Sequence, residues 1–478
     1  MMETNPAWTD KLKIAILTCA IVLAACLLGI LSRSMGHLAG LWPANALLLG
    51  MLVRFPQLSK LYGWLGAILG YLASGLLTGI SWQDSLLISA GNLVCVITGY
   101  MLFSWLGEEH RRLKHPLSVL YLALVAFFSA AVAGVVGAIA DPLLTNDIPL
   151  KGWIFWSVTE LVNLVAILPV MLSLPDITKF RINRRRPIDV YRLKIGKVLP
   201  VVTLLFSFVL GILVGGPGAL TFPIPALLWC ALSYDIFTAS LLTLLYSAWV
   251  LISMSLGYIP ISIVNMNSRP MLLSIRLGVS LLALAPLTVA SVMAAREDLL
   301  RHLEYIAEHD QLTTLLNRRA FYDRALRLLT RLAGQKRPVA VLMLDIDKFK
   351  NVNDTHGHAG GDRVLLAFAH IASAALRDVD ILGRIGGEEF AAILPGCGRD
   401  EAERIAQRIR NSLANKIIDL AEGQEISVTV SIGFTFVHQA VPDIEALLVV
   451  ADKALYRAKE NGRNRVESDN FDDVGAST

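Results

Sequence analysis

Charge is scarce in this chain. Only 17% of its 478 residues are Asp, Glu, Lys or Arg, against roughly 25% in an ordinary soluble domain. The shortage is local: residues 1–294 hold 19 Lys/Arg and 11 Asp/Glu, a net +8, whereas residues 295–478 hold 24 and 28, a net −4. The overall +4 therefore joins two unlike halves and does not indicate a nucleic-acid partner. Cysteine is scarce too. Cys19, Cys26, Cys95 and Cys230 lie in apolar stretches and Cys397 in the charged half, without the paired spacing of a disulfide framework or a zinc site, so they read as small hydrophobes. The charged half is long enough for one compact domain of about 150 residues.

The first half is filled with apolar runs, at about 14–31, 38–53, 61–80, 85–106, 117–140, 153–174, 198–214, 218–233, 236–257 and 271–294. Most reach the roughly 20 residues that a spanning helix needs, and 38–53 and 218–233 are short. Residues 1–294 thus read as an integral membrane domain of eight to ten helices in contact with lipid. Lys11 and Lys13 ahead of the first run mimic a secretory signal, and Leu23-Ala24-Ala25-Cys26 has the form of a lipoprotein processing box. The run continues to Leu31 with no polar tether after the cysteine, so a retained helix is the expectation. With the N-terminus inside, the inner loops carry Lys11, Lys13, Arg54, Lys60, Arg111, Arg112, Lys114 and the basic stretch from Lys179 to Lys197, and the outer loops only Arg33, Lys151 and Arg269. The positive-inside rule then places both termini in the cytoplasm, for eight helices as for ten.

Polar residues interrupt this apolar half. Glu160 and Asn163 share a helix face, Arg276 lies within the last run, and Leu41-Trp42-Pro43-Ala44-Asn45 breaks a helix start. Such groups either pair to hold a bundle together or form a ligand site, and a transporter would look similar at this level. From Arg296 to Glu308 the chain turns polar, with Leu299, Leu300, Leu303 and Ile306 at helical spacing. Residues 295–308 therefore read as an amphipathic linker helix suited to pairing with a copy of itself or to packing on its own domain.

In the charged half a strand signal, Val339–Leu344, runs straight into Asp345-Ile346-Asp347-Lys348-Phe349-Lys350. A buried strand that delivers acidic residues at its end is a rigid support for a metal site. About forty residues on, Arg384-Ile385-Gly386-Gly387-Glu388-Glu389-Phe390 leads into a second apolar run. The two glycines read as a hairpin turn needing positive φ. Asp345, Glu388 and Glu389 can then converge on Mg²⁺, a hard cation that prefers oxygen ligands and is commonly shared with phosphates.

These residues carry a resemblance. Residues 309–470 resemble the GGDEF domain of diguanylate cyclases, with the signature in its Gly-Gly-Glu-Glu-Phe form. Further blocks agree in order: His309-Asp310-Gln311-Leu312-Thr313 with Leu315-Leu316-Asn317-Arg318-Arg319, Asp345–Asp354, Gly357-His358-Ala359-Gly360-Gly361-Asp362, Ser431-Ile432-Gly433, Ala451–Tyr456, and Lys459 with Gly462-Arg463-Asn464. The resemblance implies an α/β palm-like fold, similar to adenylyl cyclase catalytic domains, following the α-helical polytopic membrane domain. It also implies condensation of two GTP into cyclic di-GMP with release of two pyrophosphates, across a homodimer. The apolar half resembles the membrane-associated sensor domains that precede such units, which implies a bacterial inner-membrane protein.

By match to the motif, Asp345, the Ile346 carbonyl and Glu388 would bind Mg²⁺ (or Mn²⁺), with Glu389 assisting. Glu388 would also help remove the 3′-hydroxyl proton, and Lys350 would stabilise charge at phosphorus. Asn353 and Asp362 would read guanine, whose edge offers the donors and acceptor they complement. His358 falls in the same segment, and Lys459 and Arg463 would hold phosphates. Arg377-Asp378-Val379-Asp380, five residues before Gly386, resembles the family's product-inhibition site, in which Arg377 and Asp380 would bind cyclic di-GMP. Thr314 stands where the family usually has glycine and Ile385 where it commonly has an aromatic. The other reading is a non-catalytic receptor for GTP or cyclic di-GMP, against which the intact carboxylates and base-reading residues argue. Residues 471–478 read as a disordered tail, and no cyclic di-GMP-degrading domain fits in the residues left.

Overall fold

The structure is a computed structural model that describes residues 8–31, 41–145, 148–175, 195–255, 269–420 and 424–471. Arg33, most of the basic stretch from Lys179, and the tail beyond Phe471 lie outside the described residues. The chain divides into two compact units between Leu299 and Leu300.

The first unit is helical. In order come α1 (Trp8–Leu31), α2 (Ala44–Arg54), α3 (Leu61–Leu77), α4 (Trp82–Ser104), the single turn α5 (Glu108–Arg111), α6 (Ser118–Thr145) and α7 (Pro149–Leu172). Then follow α8 (Ile195–Val214), α9 (Pro223–Ser233), α10 (Ile236–Ser255) and the 40-residue α11 (Arg269–Glu308), within which the division falls. Among the described residues seven helices are long and apolar enough to cross a membrane: α1, α4, α6, α7, α8, α10 and α11. They mark this region as that of a membrane protein. The other three apolar helices, α2, α3 and α9, have only 11, 17 and 11 residues. Pro43 starts α2 and Pro56 follows it, while Gly215 and Gly216, both at positive φ, precede α9.

Small residues set the close packing of this unit. A Cβ at Gly66 or Gly70 of α3 would meet the carbonyls of Ala15 and Cys19 on α1, the approach that glycine permits between apolar helices. Its interior also holds polar pairs. Asn45 Nδ2 donates to Asn92 Oδ1 at 3.0 Å, and the Tyr71 hydroxyl donates to Asn45 Oδ1 at 2.6 Å. The break at Leu41–Pro43 is pinned to α7, with the Trp42 N–H donating to Asn163 Oδ1 at 2.9 Å. Glu160 is buried on α7, and the buried Arg276 of α11 donates to the neighbouring Thr159 hydroxyl.

The second unit is a sheet between two helical layers. Its elements are α12 (Arg318–Gly334), β1 (Val339–Ile346), α13 (Phe349–Ala374), β2 (Ile381–Arg384), β3 (Glu389–Pro395) and α14 (Arg399–Ala414). The short β4 (Ile418–Asp419) and β5 (Glu425–Ile426), then β6 (Val430–Val437), α15 (Ile444–Glu460) and β7 (Val466–Asn470), complete it. The sheet order is β2-β3-β1-β6-β7, with β1 antiparallel to both neighbours and β7 parallel to β6. All eight residues of β1 are buried. Ala340, Leu342, Leu344 and Ile346 pack with α13 and α14, and Val339, Val341 and Met343 with α12 and α15. A strand covered on both faces reads as a continuous apolar run, and this is the α/β palm that the resemblance implies.

The entry turn bears a local strain. Thr314 has φ 60°, its N–H donating to the Asp310 carbonyl at 2.9 Å. A β-branched residue there is unfavourable, whereas glycine adopts such a φ freely. Thr314→Gly should stabilise the second unit by about 1 kcal/mol, read as a rise in the denaturation midpoint of that unit's unfolding transition.

Candidate active site

The register of β1 and β3 builds the acidic centre. Asp345 lies opposite Glu389, and the Ile346 N–H donates to the Glu388 carbonyl at 3.4 Å. Asp345 is only 4% exposed. Burial raises its carboxyl above the ordinary range and the Asp347 charge adds to this, against the pull of Lys459. Burial also raises the Glu388 carboxyl, with the charge of Asp345 next in effect. Lys459 reaches in from α15, its Nζ 2.8 Å from Asp345 Oδ2.

Two carboxylates both raised by burial, with the charge of one acting on the other, fit a divalent cation that takes its remaining ligands from water or phosphate. Among the described residues no three His, Cys, Asp or Glu side chains form a cage of their own. Such a sparse set suits a cation shared with a triphosphate better than a closed structural site.

The signature sits on the β2–β3 hairpin, as the resemblance implies, but its glycines act differently from the expectation. Neither Gly386 nor Gly387 has positive φ. A Cβ at Gly386 would meet the Glu389 carboxylate, while one at Gly387 would meet nothing within 4 Å. The turn closes through the Ile385 and Gly386 N–H groups, which donate to the Glu389 carbonyl at 2.9 and 3.2 Å. The first glycine thus makes room for a side chain from its own hairpin, with no left-handed backbone involved.

Lys350, Asn353, His358 and Asp362 all lie on α13. Gly357, at φ 69° and ψ 172°, kinks that helix, so Asn353 precedes the kink while His358 and Asp362 follow it. A Cβ at Gly361 would meet Asn353 Oδ1, so the glycine brings the carboxamide against the segment that bears Asp362. Lys350, His358, Asp362 and Arg463 are exposed. A cavity of about 430 Å³ is lined by Asp347, Lys348, Asn351, His356, Thr429 and Arg463 among others. Of the predicted site residues, Arg463 lines it, whereas Asn353 and Asp362 do not.

The comparisons with known proteins agree with this geometry. The diguanylate cyclase GGDEF domain matches residues 307–465. "Probable diguanylate cyclase DgcF" of Escherichia coli K12 is 33% identical over 281 residues, covering 58% of this chain and 88% of that protein. The protein of the same name from Escherichia coli O157:H7 is 29% identical over 443 residues, covering 91% and 90%. The chain belongs to the diguanylate cyclase family. Its class of reaction is nucleotidyl transfer, the synthesis of cyclic di-GMP. Among solved structures, the coiled coil and GGDEF domain of DgcB from Caulobacter crescentus in complex with c-di-GMP is 31% identical, covering 38% of this chain and 97% of that one with a TM-score of 0.35.

In this cyclase Arg377 and Asp380 face each other. The Arg377 N–H and Nη2 donate to Asp380 at 2.8 and 2.9 Å, and Nη1 lies 3.4 Å from Glu401. Beside them, Arg324, Arg327 and Arg331 line a cavity of about 400 Å³ with Val379 and Ile381. Sequence reasoning missed this cluster, although spacings of three and four residues place such side chains on one helix face.

It also missed a clamp. Arg384 Nη1 donates to both oxygens of Asp310 at 3.0 and 3.2 Å, and Nη2 donates to the Gly387 carbonyl at 2.6 Å. The guanidinium therefore ties the entry loop to the signature turn. Burial alone would raise the Asp310 carboxyl, but the Thr313 hydroxyl and N–H together with Arg384 hold it below the usual range. A depressed folded value stabilises the native state above the unfolded carboxyl's pKa, and this stabilisation is lost as pH falls through the folded value. In urea titrations at a series of pH values, wild type should lose this contribution below about pH 4. Asp310→Asn should be less stable at neutral pH and lack that acid-dependent component.

Proposed function

We propose that this chain is an inner-membrane diguanylate cyclase that joins two GTP into cyclic di-GMP with release of two pyrophosphates. The observation that carries this reading is the buried Asp345 at the end of β1, with Lys459 paired to it and the Glu388 carboxylate raised by its charge. Asp345, the Ile346 carbonyl and Glu388 would hold Mg²⁺, or Mn²⁺ by the same oxygen chemistry, with Glu389 assisting. When bound, the cation neutralises the triphosphate and polarises the reacting phosphate. Lys459 exchanges Asp345 for a phosphate oxygen as nucleotide enters, and Arg463 takes another. Glu388 accepts the proton leaving the 3′-hydroxyl, and Lys350 offsets charge developing at phosphorus. The Asn353 amide and the Asp362 carboxylate complement the guanine edge, with His358 in the same segment.

One unit supplies one set of these groups, and the reaction joins two nucleotides, so the working form is a homodimer. Leu299, Leu300, Leu303 and Ile306 of α11 are 58%, 47%, 51% and 42% exposed, an apolar stripe suited to a second copy. The inner-loop positive charge supports a cytoplasmic N-terminus and catalytic unit, on the side where GTP is found. The membrane domain, residues 1–294, acts through the linker, residues 295–308, on the catalytic domain, residues 309–470. Product feeds back at Arg377 and Asp380, where guanidinium and carboxylate suit phosphate and guanine, with the Arg324–Arg331 cluster beside them.

Full-length protein in lipid nanodiscs, given GTP and Mg²⁺, should form cyclic di-GMP detectable by mass. Glu388→Gln should lower the rate at least about a hundredfold while still binding GTP, and chelation of the metal should stop turnover. Equal rates in Glu388→Gln and wild type would sink the assignment. Arg377→Ala should keep the initial rate and weaken inhibition by added cyclic di-GMP about tenfold or more, seen as progress curves that no longer bend.

A further inference from the structure

Asp347, Ser431 and Asn464 belong to three of the recurrent blocks, and the chemistry above uses none of them. The fold brings them together. Asp347 is buried, at 6% exposure. Its Oδ2 accepts from the Thr429 hydroxyl at 2.7 Å and from the Asn464 N–H at 3.0 Å, and its Oδ1 accepts from the Ser431 hydroxyl at 2.7 Å. Its own N–H donates to the Thr429 carbonyl at 2.9 Å. The carboxylate is therefore fixed to β6 and to the segment just before it.

The Asn464 N–H belongs to an unusual turn. Gly462, Arg463 and Asn464 have φ of 112°, 62° and 46° in succession. Glycine adopts such values freely, but two consecutive side-chain-bearing residues there are strained and persist only when outside contacts hold them. One contact is the Arg463 N–H on the Ala458 carbonyl at 3.0 Å, at the end of α15. The others are Asp347 on the Asn464 N–H and Arg410 Nη1, which donates to the Asn464 carbonyl at 2.9 Å. Arg463 leaves the chain from the middle of this turn. Its side chain borders the cavity that Asp347 and Lys348 also line, so the released turn has space into which the guanidinium can swing.

We propose that Asp347 is a positioning residue for nucleotide binding: its carboxylate locks the Gly462–Asn464 turn to the sheet and so aims Arg463 at the triphosphate. This rests on the reading above of Arg463 as a phosphate-binding residue. Asp347 acts through hydrogen bonds to the turn, and three donors already occupy its two oxygens.

The test is a double-mutant cycle on the full-length protein in nanodiscs, measuring KM for GTP and kcat for wild type, Asp347→Ala, Arg463→Ala and the double variant. Arg463→Ala should raise KM. Asp347→Ala should raise it about tenfold with kcat within about threefold, and the double variant should be no weaker than Arg463→Ala alone. Amide hydrogen exchange should quicken over residues 461–466 in Asp347→Ala and stay unchanged in β1 and α12. Asp347→Asn should recover most of the KM, because its amide oxygen still accepts the Asn464 N–H and the Thr429 hydroxyl while the Ser431 hydroxyl turns to accept from its NH₂ group. A fall in kcat at unchanged KM, or multiplying effects in the double variant, would overturn the proposal and leave the Arg463 reading standing. Wild-type KM in Arg463→Ala would remove that reading and the proposal with it. Should Asp347→Ala lose exchange protection throughout the unit, Asp347→Ser, whose shorter polar side chain gives up the Asn464 N–H, is crossed with Arg463→Ala: a raised KM that does not multiply supports the proposal, and an unchanged or multiplying one overturns it.

Discussion

Burial raises the carboxyl of Asp345 at the end of β1, with the Asp347 charge adding to it, and burial together with the Asp345 charge raises that of Glu388. Such crowding is unfavourable in a folded protein unless something offsets it. Lys459 does so in part, by an ion pair at 2.8 Å. A cation and a triphosphate would do so more fully, the first by taking the carboxylates and the second by taking the lysine. On the reading proposed above, the acidic centre would then exchange one partner, a side chain of its own fold, for another, the incoming metal–nucleotide pair. Much of the rest of the catalytic unit holds that centre still. β1 is clamped between two helical layers, Arg384 grips the turn before Glu388, and α15 carries Lys459 to the strand end.

The close seating of α15 follows from one glycine. A Cβ at Gly433 would meet the backbone of Leu455 and Ala451, so β6 and α15 approach more tightly than any other residue would permit. Gly433 follows Ser431, which holds Asp347, and α15 leads into the turn that bears Arg463. One strand thus sets both the depth of the helix and the anchor of the turn after it. In the first unit the same logic appears in apolar form, where glycines bring α3 onto α1 and a few buried amides and charges fix the pairing. Arg276 places a charge of α11 beside Glu160 on α7. In an apolar bundle, two such groups are far less costly near one another than apart.

What could be read beforehand was whatever is contiguous in the chain. The apolar runs stand out against the few charges between them, and each carries a helix. β1 is a continuous hydrophobic stretch ending in acids, and Gly386–Phe390 lies on a hairpin because a strand begins at once after it. What could not be read depends on distant segments meeting. Nothing near Asp310 announces Arg384, 74 positions away. The arginines of α12 share a helix face by their spacing, but only the fold sets Val379 and Ile381 beside them. Lys459 reads as a phosphate ligand in the chain and sits on Asp345 in the fold.

The glycines of the signature show the limit most clearly. A Gly-Gly pair in a hairpin invites a conformational explanation, since positive φ is what glycine supplies most often. Here the constraint is steric and comes from a residue three places later, the Glu389 carboxylate over Gly386. The left-handed non-glycine positions fall instead on Leu113, Thr314, Lys336, Lys348, Arg463 and Asn464 among the described residues, residues whose types give little hint of it. Lys348 caps α13, three residues after Asp345, and Arg463 leaves from the turn that Asp347 holds, so three of these six positions lie near the proposed site. Such backbone strain persists only where the surroundings over-determine it. For the turn that bears Arg463 and Asn464, the buried carboxylate of Asp347, bonded to the Asn464 N–H, provides part of that hold.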